Sequence, residues 1–189
     1  MTYNELVKIL LSNDVYLNIK CKETELLELI PELKQCYGFN QNNEWHIYDV
    51  YEHILVVIAN VPNDVCVRLA ALFHDIGKPL AYTEDNNGVG HFYNHWVNSL
   101  IIFHKYENFF GLTDEQIKLI SSLFYWHDAN INKLSEEELG VMIKEIGINN
   151  LDVLFKLKKA DLLAQNPIYH NLLTSICEQE QLLLSRSKQ

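Results

Sequence analysis

A chain of 189 residues has room for one domain with a substantial core and is short for two. Its hydrophobic content of 48% is that of a globular protein, and no apolar run approaches the roughly 18–20 residues that cross a bilayer. The balance of 15 Lys and Arg against 25 Asp and Glu, −10 with histidine neutral, argues against unselective binding of long nucleic acids. It leaves open a small phosphorylated substrate, because a divalent metal can supply positive charge locally.

The start, Met1 to Glu5, lacks the basic and apolar stretches of a secretory signal, so a cytoplasmic protein is expected. Thr2 and Glu5 have the spacing of a capping box and open a helix carrying Leu6, Ile9 and Leu10. A second short helix is predicted from about Glu23 to Ile30, before Pro31, and Tyr37 to Glu44 reads as a loop. Asp49 can cap a helix through Val61, with Val50, Ile54, Val57 and Ile58 on its apolar side. Pro62-Asn63-Asp64 breaks it, and the next helix runs through Val65, Leu69, Leu72 and Phe73 toward Gly77. From Lys78 to Phe92 the pattern changes: Asp85-Asn86-Asn87-Gly88 is a turn signal, and a small hairpin or lid-like loop is expected. Helices resume from about Asn94 to Phe110, after Thr113, after Ser135, from Asn150 to Ala164, and from Ile168 to Ser185. The reading is all-α, one domain over residues 1–189 with its core at about 45–167 and a small insertion near 80–93.

Four cysteines, Cys21, Cys36, Cys66 and Cys177, are scattered without a CxxC, so thiolate zinc sites are unsupported and reduced, mostly buried thiols are expected. The histidines carry more. His53 lies on the apolar stripe between Val50 and Val57; His127 follows Ile120, Leu123 and Phe124 at helical spacing; Asp161 shares a face with Leu154, Leu157 and Ala164. One inward histidine is usually a satisfied core residue, but an inward aspartate is costly without a partner. Several together in a small helical chain are best explained by a shared divalent cation, which offsets the carboxylates and takes neutral imidazole as ligand. The adjacent pair His74-Asp75 ends an apolar helix in the stretch LFHDIGKP. Neighbours on a helix point about 100° apart, so both reach one metal only at a helix end. Gly77 is expected to let the chain turn sharply there, and Pro79 to stop the helix.

The order His53 … His74-Asp75 … Asp161 resembles the HD-domain superfamily of metal-dependent phosphohydrolases. The stretches DVYEHIL, RLAALFHDIGKP, GHFYNHW, WHD at 126–128 and KADLLAQNP are similar to the HD domain carried by bacterial CCA-adding tRNA nucleotidyltransferases. A counterpart of the nucleotidyltransferase head is absent from these 189 residues, so the hydrolytic activity is what the resemblance carries over. It implies that His53, His74, Asp75 and Asp161 bind a first metal. His95 and His127 match positions that hold a second metal with Asp75 bridging, or else bind phosphate or transfer protons. It also implies that Lys78 reaches the substrate phosphate; His91 contacts substrate or supports the ligands. Asp128 is a ligand or a solvated residue at a helix end, and His46, His104 and His170 gain nothing from the pattern. The implied cofactor is one or two ions of manganese, iron, cobalt, nickel or zinc. The implied reaction is attack of water on phosphorus in a 2′,3′-cyclic nucleotide, a 2′-nucleotide or another small phosphate ester. A nucleoside 5′-monophosphate or triphosphate hydrolase is the alternative within the superfamily, and a non-catalytic nucleotide-binding module the alternative outside enzymes. Small-molecule substrate is the only partner expected; the oligomeric state is open.

Overall fold

The computed structural model describes residues 1–186. It is all-α apart from one two-stranded ribbon, as the sequence pattern predicts. An N-terminal layer comprises α1 (Tyr3–Leu10), α2 (Val15–Cys21), α3 (Glu23–Leu29) and α4 (Leu33–Cys36). The central helices are α5 (Val50–Asn60), α6 (Val65–Phe73) and the single turn α7 (Lys78–Ala81). After the ribbon β1 (Thr83–Glu84) and β2 (Gly90–His91) come α8 (His95–His104), α9 (Asp114–Trp126), α10 (Glu136–Ile146), α11 (Leu151–Leu163) and α12 (Leu173–Arg186).

Local chemistry sets the helix starts. Thr2, Thr113 and Ser135 form capping boxes with Glu5, Gln116 and Glu138, while Asp49 and Asp64 accept from backbone N–H groups at the starts of α5 and α6. Every residue of α6 from Cys66 to Phe73 is buried, so it is a helix with no solvent face. It packs against α5, α8, α9 and α11, which places its C-terminus in the middle of the bundle. The one charged side chain in that run, Arg68, donates to the carbonyls of Leu10 and Ser12 and so caps α1 from inside.

Four expectations need correction. Gly77 has an ordinary helical φ of −83°, so it is not needed for a sharp turn. A Cβ there would lie 2.4 Å from Ser99 N and 2.5 Å from His95 O; what the glycine permits is close approach of α8. Pro79 does not end a helix but sits in the first turn of α7, where its missing N–H costs nothing. Residues 105–110 and 167–172 are not α-helix: 3₁₀ turns occupy Glu107–Phe109 and Pro167–Leu172. Of the four free cysteines only Cys36 and Cys66 are buried; Cys177 is half-buried and Cys21 exposed.

The expected hairpin is present, antiparallel, with Thr83 opposite His91 and Glu84 opposite Gly90. It rests on the 37–49 loop through Gly90, whose N–H donates to Asn42 O, and whose missing side chain leaves room for Gln41 O. No helix among the described residues is long and apolar enough to cross a membrane.

Candidate metal centre

Five helices deliver their polar side chains to one point. His53 comes from the second turn of α5, His74 and Asp75 from the end of α6, His95 from the first residue of α8, His127 from the end of α9 and Asp161 from α11. His53 and His74 are fully buried, and Asp75 is 1% exposed.

Each imidazole is oriented by a backbone carbonyl. The Nδ1 atoms of His74, His95 and His127 lie 2.8, 3.0 and 2.8 Å from the carbonyls of Ala71, Phe92 and Phe124, each three residues back in the chain. At the ends of α6 and α9 those carbonyls have lost their helical partners, so a ring N–H satisfies them. His53 Nδ1 faces Ala164 O at 3.4 Å, just beyond the end of α11. A carbonyl can only accept, so each Nδ1 carries a proton and each Nε2 is the atom turned inward. A cation bound there would displace any proton from Nε2 and take the ring as neutral imidazole.

The Nε2 atoms converge on Asp75, which divides them. Its Oδ2 is 3.2 Å from His53 Nε2 and 3.3 Å from His74 Nε2, and both rings also face Asp161 Oδ1, at 2.9 and 3.6 Å. Its Oδ1 is 3.1 Å from His95 Nε2 and 3.8 Å from His127 Nε2. Two donor groups result, His53–His74–Asp75–Asp161 and Asp75–His95–His127, with the atoms of each within 4.8 Å of one another. Both Asp75 oxygens and the Nε2 atoms of His74 and His95 are buried without a hydrogen bond of good geometry. Orphaned polar atoms of this kind are rare in a native core, and a cation in each donor group would account for all four. The field agrees. Burial alone would lower the His74 imidazole, yet Asp75 and Asp161 push it up to about 10. Burial alone would raise the Asp75 carboxyl, yet His74 and Lys78 hold it well below the usual carboxylate range. These residues fit a divalent cation with mixed nitrogen and oxygen ligands.

Lys78 is buried, with Nζ 2.7 Å from Asp75 Oδ2, 2.9 Å from Gln41 Oε1 and 3.3 Å from His46 Nε2. One ion pair and two side-chain contacts hold it. His46 also meets the His53 ring edge-on at 5.3 Å, although nothing in its sequence context marked it. Asp128 is 59% exposed, yet its carboxylate lies 3.6 Å from His95 Nε2 and 3.5 Å from His127 Nε2, so a surface residue stands at the mouth of the centre. Lys158, also unmarked by any motif, is buried in α11 and donates to the carbonyls of His127 and Ala129, holding the end of α9 in place. His91 is not brought to the centre; it pairs with Asp85 at 3.4 Å and stacks on Tyr93. His104 is exposed and paired with Glu107.

The HD-domain family model matches residues 46–164, more than half of the chain and the stretch that holds His53, His74, Asp75, His95, His127 and Asp161. The chain belongs to the HD-domain family. HD domains are metal-dependent phosphohydrolases, and the buried His/Asp groups here are able to hold the divalent metal such an enzyme uses. Two openings flank the HD centre. A cleft of about 370 Å³ runs from His95 and Asp128 between Phe92, Tyr93, Trp96 and Tyr125. The other, about 250 Å³, is reached past Trp45, Asp128, Lys158 and Gln165. A groove of about 530 Å³ between α9 and α10 is larger but contains no metal donor of the centre.

Proposed function

We propose that this HD domain hydrolyses a small phosphate ester, with 2′,3′-cyclic nucleotides and related nucleotide monoesters as the substrate class. The observation that supports it best is the division of Asp75, one oxygen toward each donor group, in a chain of phosphohydrolase family. His53, His74, Asp75 and Asp161 would hold the first ion, and Asp75, His95 and His127 the second. Bound there, divalent metal supplies Lewis acidity to a phosphoryl oxygen and lowers the pKa of water.

The side chains do the remaining work. The carbonyl-anchored rings keep Nε2 fixed on the centre, so little reorganisation accompanies the reaction. Lys78 keeps Asp75 ionised and its Oδ2 in place; it acts on phosphate through that carboxylate unless Gln41 and His46 release it. Asp128 is the polar group of the centre most open to solvent and faces His95 and His127, where its carboxylate would orient water or accept its proton. The sequence stretches that resemble the HD domain of CCA-adding tRNA nucleotidyltransferases are our reason for placing the cyclic phosphodiester ahead of a 5′-nucleotide. A 5′-nucleotide hydrolase would share every metal ligand, and a binding module would need none of Asp75's two-sided geometry.

Metal content and turnover of 2′,3′-cyclic AMP, 5′-AMP and a chromogenic phosphodiester, measured on the wild type and Asp75→Ala, test the proposal. Metal-dependent cleavage of the cyclic nucleotide, lost in the variant, is expected. Cleavage of 5′-AMP alone would move the substrate to the alternative, and bound metal without turnover would favour the binding module.

A further inference from the structure

The cleft of about 370 Å³ beside His95 is within the range of small-ligand sites and differs in character from the centre it adjoins. Its walls are aromatic. Trp96 and Tyr125 meet edge to face with ring centroids 4.7 Å apart at 87°, so each holds the other's orientation. Tyr93 is 71% exposed at the rim, and its ring lies parallel to His91 at 5.4 Å. Between Tyr93 and His95 the chain passes through Asn94 with φ of +57°, a left-handed conformation that asparagine tolerates better than most residues. That single turn lets consecutive residues serve different ends: Tyr93 stays in solvent while His95 begins α8 and faces Asp75.

Charge is the second observation. Among the described residues no Lys or Arg lines this cleft, whereas Asp128 and Glu138 do. The two buried lysines nearest the centre are committed, Lys78 to Asp75, Gln41 and His46, and Lys158 to two backbone carbonyls. A phosphate at the centre would be compensated by the ions; further phosphates extending into the cleft would meet carboxylates and π-faces. A neutral planar ring suits those same walls.

We infer that the Tyr93–Trp96–Tyr125 cleft binds the nucleobase of a substrate carrying a single phosphate and discriminates against di- and triphosphates. The inference rests on the phosphohydrolase reading for the placement of phosphate at the centre, and it names the residues that set specificity.

Calorimetric titration of the zinc-loaded protein with 5′-AMP, ribose 5-phosphate and ATP tests it without requiring turnover. The expected result is that 5′-AMP binds at least about tenfold more tightly than ribose 5-phosphate and that ATP binds more weakly than 5′-AMP. Trp96→Leu and Tyr93→Ala should each reduce the advantage of 5′-AMP over ribose 5-phosphate. Tyr93 is exposed, so its variant separates recognition from folding. Equal binding of 5′-AMP and ribose 5-phosphate, ATP binding as tightly as 5′-AMP or more so, no binding of 5′-AMP at millimolar concentration, or an advantage untouched by both variants would each overturn the assignment. The two readings fail separately. Base preference without turnover of any ester would keep the cleft and remove the hydrolase, whereas turnover with no base preference would do the reverse.

Discussion

The ammonium of Lys78 lies 2.7 Å from Asp75 Oδ2, one turn away along the chain, and both groups are buried. Lys78→Met keeps most of the volume but leaves a buried carboxylate without its nearest cation. Removing one partner of such a pair typically costs about 3–5 kcal/mol. A divalent ion bound by the same carboxylate would offset much of that loss. Thermal unfolding should therefore show a large drop in Tm for Lys78→Met in chelator and a smaller one with metal in excess. Equal drops in both conditions would mean that Asp75 and the ion do not meet.

The unequal sharing of donors predicts different stoichiometries. His127→Ala removes a donor from the group at Asp75 Oδ1 and leaves the other four donors in place. Metal analysis after dialysis should fall from two ions to one, whereas His53→Ala should cost the ion of the other group. Two ions retained by His127→Ala would contradict the assignment of His127 as a ligand.

Gly77→Ala probes the contact that sets the height of α8. The added Cβ would press on Ser99 N and His95 O, both backbone atoms, so relief requires movement of the helix itself. A cost of about 1–3 kcal/mol or more is expected by urea unfolding, as for overpacking in a dense core. Because His95 is the first residue of that helix, affinity for the second ion should fall as well. Unchanged metal affinity in a destabilised variant would show that α8 moves without carrying the His95 ring.

A pH effect is predicted far from the centre. Glu32 accepts from Lys105 at 2.8 Å and from the Tyr106 hydroxyl. Burial alone would raise its carboxyl, but these two donors hold it below the ordinary value. A carboxyl depressed in the folded state contributes stability that is present above its unfolded pKa of about 4.5 and is lost as pH falls through the folded value. Glu32→Gln should therefore flatten the acid limb of the stability profile below about pH 4.5, read by denaturant unfolding from pH 3 to pH 7. A variant as acid-sensitive as the wild type would assign that limb to other groups.

The parts legible in the sequence are those governed by local rules. Capping boxes at Thr2, Thr113 and Ser135 announce their helices, and the helical period places His53, His127 and Asp161 inward without any knowledge of what they face. The four residues of α4 give too little of a 3.6-residue period to be read, and α2, unlike the equally long α3, has neither an acidic first turn nor a following proline to mark its ends. Gln41 and His46 belong to a loop with no period. What brings them to Lys78 is tertiary: Gln41 Nε2 donates to Tyr48 O, and His46 Nδ1 lies 2.7 Å from Asn43 Oδ1. Lys158 escapes for a different reason. A lysine on a helix ordinarily reads as solvated, and only the packing of α9 against the end of its side chain makes it a buried support.

The 37–49 loop is fastened on its far side as well. Asn166 donates from its backbone to Trp45 O and from its side chain to Glu44 O, and Trp45 stacks on Tyr169 at 3.8 Å. Gln41 and His46 ride on this loop and hold the Lys78 ammonium, while the His46 ring lies edge-on to His53. The segment after α11 thus steadies, through the loop, the lysine that neutralises Asp75. Asn166→Ala should lower metal affinity without removing a ligand, read by metal titration; unchanged affinity would show that the loop holds its place without that fastening.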